Sequence, residues 1–367
     1  MFSQDINNSI AGWYFSEEDI KYTLSNGHLI NPSIDLTNAC NLNCPYCYIE
    51  EKNSIRKIRR SGELTIEETI EIINDLKSCG ARTINIVGSG EPTIDPHLDE
   101  IIDTIYNLNM KTVLFTNGIR LANNPELLKF LMLRNVSIVL KYNSLSENIQ
   151  DLVAGRKGYA LKRNAALELL IDSGFNAFEP TRLGLDIIVF KGNYSEIADI
   201  HKFCREKNVF PIAGEFIPTG RTESGKFQGH KALFGFSDQE KQEVTRLLQP
   251  ISNNERSALV ESLEKIDEKF NIKRSINPAY VGGGICTQIL GLYIDIEGNI
   301  WPCVARKKIT NNNIESGLLG NCRKGDRPSV IWKNNQYLKT IRKNYNGACP
   351  YKIGQFYSSK IKRMKYE

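Results

Sequence analysis

Three cysteines, Cys40, Cys44 and Cys47, lie within eight residues of a 367-residue chain. That spacing is too tight for a disulfide framework. Soft thiolates select zinc or iron–sulfur clusters. A structural zinc takes a fourth protein ligand, and no Cys or His follows nearby. Three thiolates on a four-iron cluster leave one iron open to a small molecule, which is what catalysis needs. A zinc knuckle or a buried cysteine cluster is the plainer alternative. Four more cysteines, Cys286, Cys303, Cys322 and Cys349, lie near the end of the chain. The stretch Leu292–Ile296, an acidic-Gly turn at Glu297-Gly298, and Asn299–Trp301 read as a β-hairpin. Cys286 and Cys303 flank it, so strand pairing brings both thiols to one end. Two disulfides or a four-thiolate zinc site are the rival readings here. Cys79 and Cys204 fall on the apolar faces of helical stretches and read as buried structural thiols. His28, His97, His201 and His230 have no metal-ligand spacing and stay unassigned.

Charge and composition narrow the class. The 47 basic and 42 acidic residues leave a net charge of +5, which does not argue for a nucleic-acid partner. No apolar run reaches the length of a membrane span. Met1–Asp5 lack a basic-then-apolar leader, and nine cysteines without one fit a reduced, cytoplasmic protein whose thiols bind metal. The basic run Lys52, Arg56, Lys57, Arg59 and Arg60 reads as a solvated loop, with an anionic substrate as the alternative partner.

The elements that must position the thiols follow from periodicity. Ser33–Thr37 is a short β-rich run that delivers the chain to Cys40. Thr65–Cys79, Leu98–Leu108, Pro125–Met132, Tyr159–Gly174 and Glu196–Lys207 carry apolar residues at helical spacing. Thr83–Val87, Thr112–Thr116, Val136–Leu140, Leu183–Phe190 and Pro211–Ile217 read as strands between them. Six β/α units of this kind imply a parallel sheet with right-handed crossovers. Ligand residues then collect at the strand C-terminal ends, where the cysteine loop lies. Alternation alone does not choose between a barrel and an open sheet. From about residue 222 it stops. Gln239–Leu248 and Ser257–Phe270 are helical, and Gly282-Gly283-Gly284 opens the cysteine-bearing end. Expected divisions are a lead-in at 1–32, an α/β unit at 33–221, a connecting helical segment at 222–281, and a small C-terminal unit at 282–367.

The Cys40-x3-Cys44-x2-Cys47 stretch, with the aromatic Tyr46 before its last cysteine, resembles the signature of radical S-adenosylmethionine (SAM) enzymes. Gly88-Ser89-Gly90-Glu91-Pro92 after the second strand resembles that family's GGEP motif, departing from it at Ser89. The resemblance implies closure into a partial (β/α)6 TIM-type barrel. It implies a SAM-binding 4Fe-4S cluster on Cys40, Cys44 and Cys47, with SAM chelated at the open iron. In the family, an electron from the cluster cleaves SAM to methionine and a 5′-deoxyadenosyl radical, which abstracts hydrogen from the substrate. Gly88, Ser89, Gly90 and Glu91 are then expected at the SAM amino group, and Asn117 and Asn193 near the nucleoside. Asn117 also reads as a plain turn residue, and Asn193 as a helix N-cap. The family usually has Ser-Leu-Asp where this chain has Lys141-Tyr142-Asn143-Ser144. The carboxylate contact therefore stays open among Lys141, Ser144 and Arg156, and Lys141 equally reaches toward substrate.

The spacing Cys286-x11-Gly298-x4-Cys303 resembles the opening of SPASM and twitch domains, small appendages that hold auxiliary clusters. Four cysteines suit one auxiliary 4Fe-4S cluster on Cys286, Cys303, Cys322 and Cys349, with Cys322 the least secure ligand. Glu215 and Arg221, in a stretch similar to the last barrel strand of relatives, are expected at the substrate, with a loop exit as the plain reading of Arg221. The resemblance implies an oxidoreductase with an electron donor such as flavodoxin or ferredoxin. A small polar substrate is expected to be oxidised, epimerised or rearranged. A ribosomal peptide is the alternative, disfavoured because only 39 residues precede Cys40. A non-catalytic iron–sulfur or zinc protein is the reading from another class.

Overall fold

Strand-forming runs rich in Ile, Val and Leu alternate with capped helices, and parallel pairing follows that alternation. A computed structural model describes residues 9–49, 61–218, 220–222, 233, 235–274, 280–304 and 317–349. The basic run at residues 52–60 and His230 lie outside the described residues. Strands β1 (Ser33–Ile34), β2 (Thr83–Ile86), β3 (Lys111–Thr116), β4 (Ser137–Lys141), β5 (Leu183–Val189) and β6 (Phe210–Glu215) are neighbours in chain order, every pair parallel. This is the partial six-stranded barrel architecture expected above. Helices α1 (Glu17–Ser25), α2 (Ile66–Ser78), α3 (Leu98–Asn107), α4 (Pro125–Leu133), α5 (Glu147–Ala154), α6 (Tyr159–Asp172) and α7 (Ile197–Glu206) accompany the strands.

Local chemistry starts the helices where they start. Thr65 and Glu68 close a capping box at α2. Asn124 caps α4 ahead of Pro125, whose fixed φ suits a first turn. Buried stripes such as Ile72, Ile73 and Leu76 on α2, and Ile101, Ile102 and Ile105 on α3, enter one core with β2 and β3. Cys79 and Cys204 lie in that core, as their helical positions imply. Helix α5 escapes the periodicity reading because ENIQDLVA is short and mostly polar; Ser146 caps it and Gly155 ends it.

The first described residues plug the sheet's other face. Ile10, Trp13 and Tyr14 form a second core with Val113, Val139, Phe210 and Ile212. The Trp13 and Phe115 rings lie 5.0 Å apart, as do those of Tyr14 and Phe210. The lead-in thus fills the inside of the sheet.

β1 is shorter than the five-residue run expected. The Asp35 N–H still donates to Ile294 O, and the chain then turns to other partners: Thr37 Oγ1 donates to Glu63 Oε2 at 2.9 Å, and the Asn38 N–H to Glu63 Oε1 at 3.0 Å. The C-terminal hairpin, β7 (Tyr293–Ile294) and β8 (Asn299–Trp301), is observed with its turn at Gly298. β7 also pairs parallel to β1, and β9 (Gly320–Asn321) pairs to β8, so the sheet runs β6-β5-β4-β3-β2-β1-β7-β8-β9. The hairpin is continuous with the barrel sheet, covering the edge that β1 would expose. Helices α8 (Asp238–Leu247) and α9 (Asn253–Lys269) lie in the connecting segment, α9 against α7. No helix among the described residues is long and apolar enough to cross a membrane.

Candidate active site

The cysteine loop leaves β1 and is fastened from several sides. The Asn43 N–H donates to Ala154 O at the end of α5. Arg156 Nη1 donates to Asn41 O at 2.8 Å, and Asn117 Nδ2 to Asn41 Oδ1 at 2.7 Å. Arg221 Nη1 donates to Asn43 Oδ1 at 2.8 Å and Cys44 O at 3.0 Å. The Cys47 N–H closes a turn on Cys44 O.

The loop opens into a cavity of about 360 Å³ at the C-terminal ends of the strands. Cys40, Cys44 and Cys47 line it, together with Tyr46, Gly88, Ser89, Gly90, Glu91, Asn117, Lys141, Glu215 and Arg221. The structure therefore brings most of the expected site residues to one wall system. Ser144, Arg156 and Asn193 do not line it. Ser144 Oγ donates to Glu196 Oε2 at 2.7 Å. Asn193 Nδ2 donates to Asn143 O and Ile188 O, while its Oδ1 accepts from the Phe190 N–H. Both are buried internal fasteners.

The GSGEP stretch runs against the start of the cysteine loop. The Gly90 N–H donates to Thr37 O and the Glu91 N–H to Ala39 O. A Cβ on Gly90 would stand 2.0 Å from Ala39 O, so only glycine permits this approach. Ser89, where the family motif has glycine, hydrogen-bonds Asp35 Oδ2, which also accepts from Tyr293 OH on the hairpin at 2.5 Å.

Glu91 is buried, and desolvation holds its carboxyl above the usual range against its hydrogen bonds. Oε1 accepts from Thr93 Oγ1 and Thr116 Oγ1, each at 2.6 Å, and from the Thr93 N–H; Oε2 accepts from the Asn117 N–H at 2.7 Å. Its carboxylate thus fixes the Thr116-Asn117-Gly118 turn to the motif.

Asp186 is a cavity residue that sequence reasoning missed. Lys141 Nζ donates to its Oδ2 at 2.8 Å, with the Tyr46 ring centroid 5.5 Å from that nitrogen. The available signal was an acid inside the apolar run Leu185–Phe190. Glu215 accepts from Arg256 Nε at 2.6 Å.

The second cysteine group divides. Cys286 and Cys349 share one small apolar cluster, and the β7–β8 pairing sets Cys303 at the same end of the hairpin as Cys286. Cys322 lies elsewhere: its N–H donates to Gly298 O at the turn, and it packs on the main core. Gly298 precedes β8 and Cys303 follows it, so the two mark opposite ends of that strand. Burial pushes the Cys322 thiol up to about 12, with Asp75 adding to the effect.

Three thiols around one cavity are a soft donor set that fits an iron–sulfur cluster. Among the described residues no three His, Cys, Asp or Glu converge closely enough for one ion; a multi-iron cluster takes one thiolate per iron and does not require that.

Residues 34–209, just under half of the chain, match the family model described as the radical SAM superfamily. That region contains Cys40, Cys44, Cys47 and the GSGEP stretch and carries the signature of an enzyme of that class. The chain is 28% identical over 211 residues to the S-adenosylmethionine-dependent nucleotide dehydratase of Flammeovirga pacifica, covering 52% of this chain and 67% of that protein. It is 24% identical over 335 residues to the AdoMet-dependent heme synthase of Methanosarcina barkeri, covering 87% of each. The fold resembles Streptococcus suis SuiB bound to S-adenosylmethionine, with TM-score 0.56 and 15% identity over 86% of this chain and 68% of that one. SuiB bound to precursor peptide SuiA gives 0.51 at 16% identity, over 90% of this chain and 71% of that one.

Proposed function

We propose that this enzyme cleaves SAM reductively and abstracts hydrogen from a small polar substrate held in the cavity. The observation that carries this reading is the cavity wall itself. One space is lined by Cys40, Cys44 and Cys47, by the GSGEP stretch, and by Lys141, Asp186 and Glu215. When bound on the three thiols, the cluster supplies the electron for SAM cleavage. The chain's own residues do the rest. Gly90 lets the GSGEP backbone pack against the start of the cysteine loop, Glu91 holds the Asn117 turn, and apolar Val87, Phe115, Val139 and Ile188 exclude water. Lys141, Asp186 and Glu215 offer charge-assisted hydrogen bonds to hydroxyl, amine or phosphate groups. A cavity of a few hundred Å³ is of small-molecule size. The names of the nucleotide dehydratase and the heme synthase point the same way.

Cys286, Cys303 and Cys349 are the thiols we assign to an auxiliary cluster, which would accept the electron of an oxidised substrate radical. Tyr280 belongs to the apolar cluster of Cys286 and Cys349 and feels the charge of Asp186, a cavity residue. A flavodoxin or ferredoxin would supply the first electron. A peptide substrate is the second reading, favoured by the similarity to the SuiB–SuiA complex in fold.

The test is to incubate reduced protein with SAM, first alone and then with panels of small polar metabolites and of precursor peptides, assaying 5′-deoxyadenosine. Release stimulated by a metabolite is expected. Stimulation confined to peptides would replace the first reading with the second, and no release under any condition would end both.

A further inference from the structure

Arg221 is a buried cation whose neighbours do not neutralise it. Its residue is 3% exposed, and among the described residues no carboxylate forms an ion pair with it. Nη1 is spent on Asn43 Oδ1 and Cys44 O, both uncharged acceptors. Nε is buried with no hydrogen-bond partner. A buried guanidinium without an anion is costly unless one is brought to it.

The surrounding backbone directs that charge at the cysteine loop. The Arg221 N–H donates to Cys47 O at 3.1 Å, so one residue holds both Cys44 and Cys47 by their carbonyls. Gly220 has φ +56, and a Cβ there would stand 2.2 Å from Tyr48 O. The left-handed conformation and this close approach both require glycine, and together they press the start of the 3-10 turn Gly220–Thr222 against the loop. Arg221 also lines the cavity beside Cys44 and Cys47.

We infer that Arg221 is a positioning residue for the cysteine loop, and that its charge sets the reduction potential of the cluster held there. This rests on the assignment of Cys40, Cys44 and Cys47 as cluster ligands. An iron–sulfur cluster gains negative charge on reduction, so a fixed buried cation beside it favours the reduced form and raises the potential. The hydrogen bonds to Asn43 and Cys44 orient the ligands in the manner of outer-shell partners. The substrate contact expected of Arg221 gives way to a contact with the loop.

The experiment compares wild type, Arg221→Met and Arg221→Lys, reconstituted without oxygen, by iron content, thermal melting and redox titration followed by EPR. The Met variant is expected to hold the cluster at a lower potential. The shift should equal at least a tenfold change in the one-electron reduction constant, about 59 mV. The Lys variant keeps the charge and should stay near the wild-type potential. A Met variant with full iron and wild-type potential would overturn the inference. If the Met variant fails to fold or load iron, the Lys variant decides. Loading at wild-type potential supports the inference; failure to load, or loading at a lowered potential, overturns it. Wild type that takes up no iron would instead remove the cluster assignment itself.

Discussion

Lys141 Nζ lies 2.8 Å from Asp186 Oδ2, a pair formed across the neighbouring strands β4 and β5 on the cavity wall. The pair answers the lysine's charge within the protein, so a SAM carboxylate is not needed to do so. Lys141→Ala is expected to leave SAM affinity within about threefold while substrate-stimulated turnover falls. Calorimetric titration of SAM into the reduced protein checks this. A tenfold weakening, about 1.4 kcal/mol, would move Lys141 to the SAM carboxylate.

Glu91 should act through the turn it holds. Glu91→Gln replaces a carboxylate that accepts from Thr93, Thr116 and Asn117 by an amide that has one acceptor oxygen. SAM binding is expected to weaken by about 1.5–3 kcal/mol, the range for hydrogen bonds to charged groups. Unchanged affinity would show that the GSGEP stretch does not position SAM.

Iron content separates the two thiol groups. Protein reconstituted anaerobically is expected to bind two four-iron clusters, hence about eight iron and eight sulfide. Replacing Cys40, Cys44 and Cys47 together by Ala should remove half, as should replacing Cys286, Cys303 and Cys349. Cys322→Ala should change nothing, because Cys322 sits at the turn end of the hairpin. Iron loss in that variant would return Cys322 to the ligand set.

Acid should loosen the packing of α9 on α7. His201 Nε2 and Arg205 Nε both meet Asp267 Oδ1, at 2.7 and 2.8 Å, and Arg274 Nε lies 3.1 Å from Oδ2. Burial lowers the His201 imidazole, with the Asp267 hydrogen bond opposing. Asp267 is lowered as well: burial would raise it, but hydrogen bonds and charge from His201 and Arg205 prevail. For His201, the unfolded chain takes up the proton first as pH falls through about 6.5, so stability declines below that value. The Asp267 contribution is present above the ordinary aspartate range and is lost as pH falls through its lower folded value. The urea midpoint of wild type should therefore drop between pH 7.5 and 5.5. His201→Gln, which keeps a donor to Asp267 without titrating, should show a smaller drop; an equal drop would place the sensitivity elsewhere.

Much of this was legible in the sequence because it is local. The cysteine spacing, the GSGEP stretch and the hairpin around Gly298 each lie within about twenty residues, where backbone geometry alone relates the parts. Helix and strand alternation encoded the parallel sheet, since apolar periodicity reflects which face each element buries. Ser33–Thr37 misled as a five-residue strand because Glu63, remote in sequence, takes Thr37 and Asn38 as hydrogen-bond partners.

Tertiary structure decided what depends on register and long-range contact. The pairing of β7 onto β1 ties Tyr293 to Asp35 across 258 residues and fuses the hairpin to the barrel sheet. Arg221 reaches Asn43 across 178 residues; a lone arginine at a loop exit carries no local sign of that. Cys322 is near Cys303 in sequence, yet antiparallel pairing of β9 sends it to the opposite end of the hairpin. Sequence determined which chemical groups the chain carries, because residue type is local. Only the packed fold determined which of them share a space, because that follows from the register of strands distant in the chain.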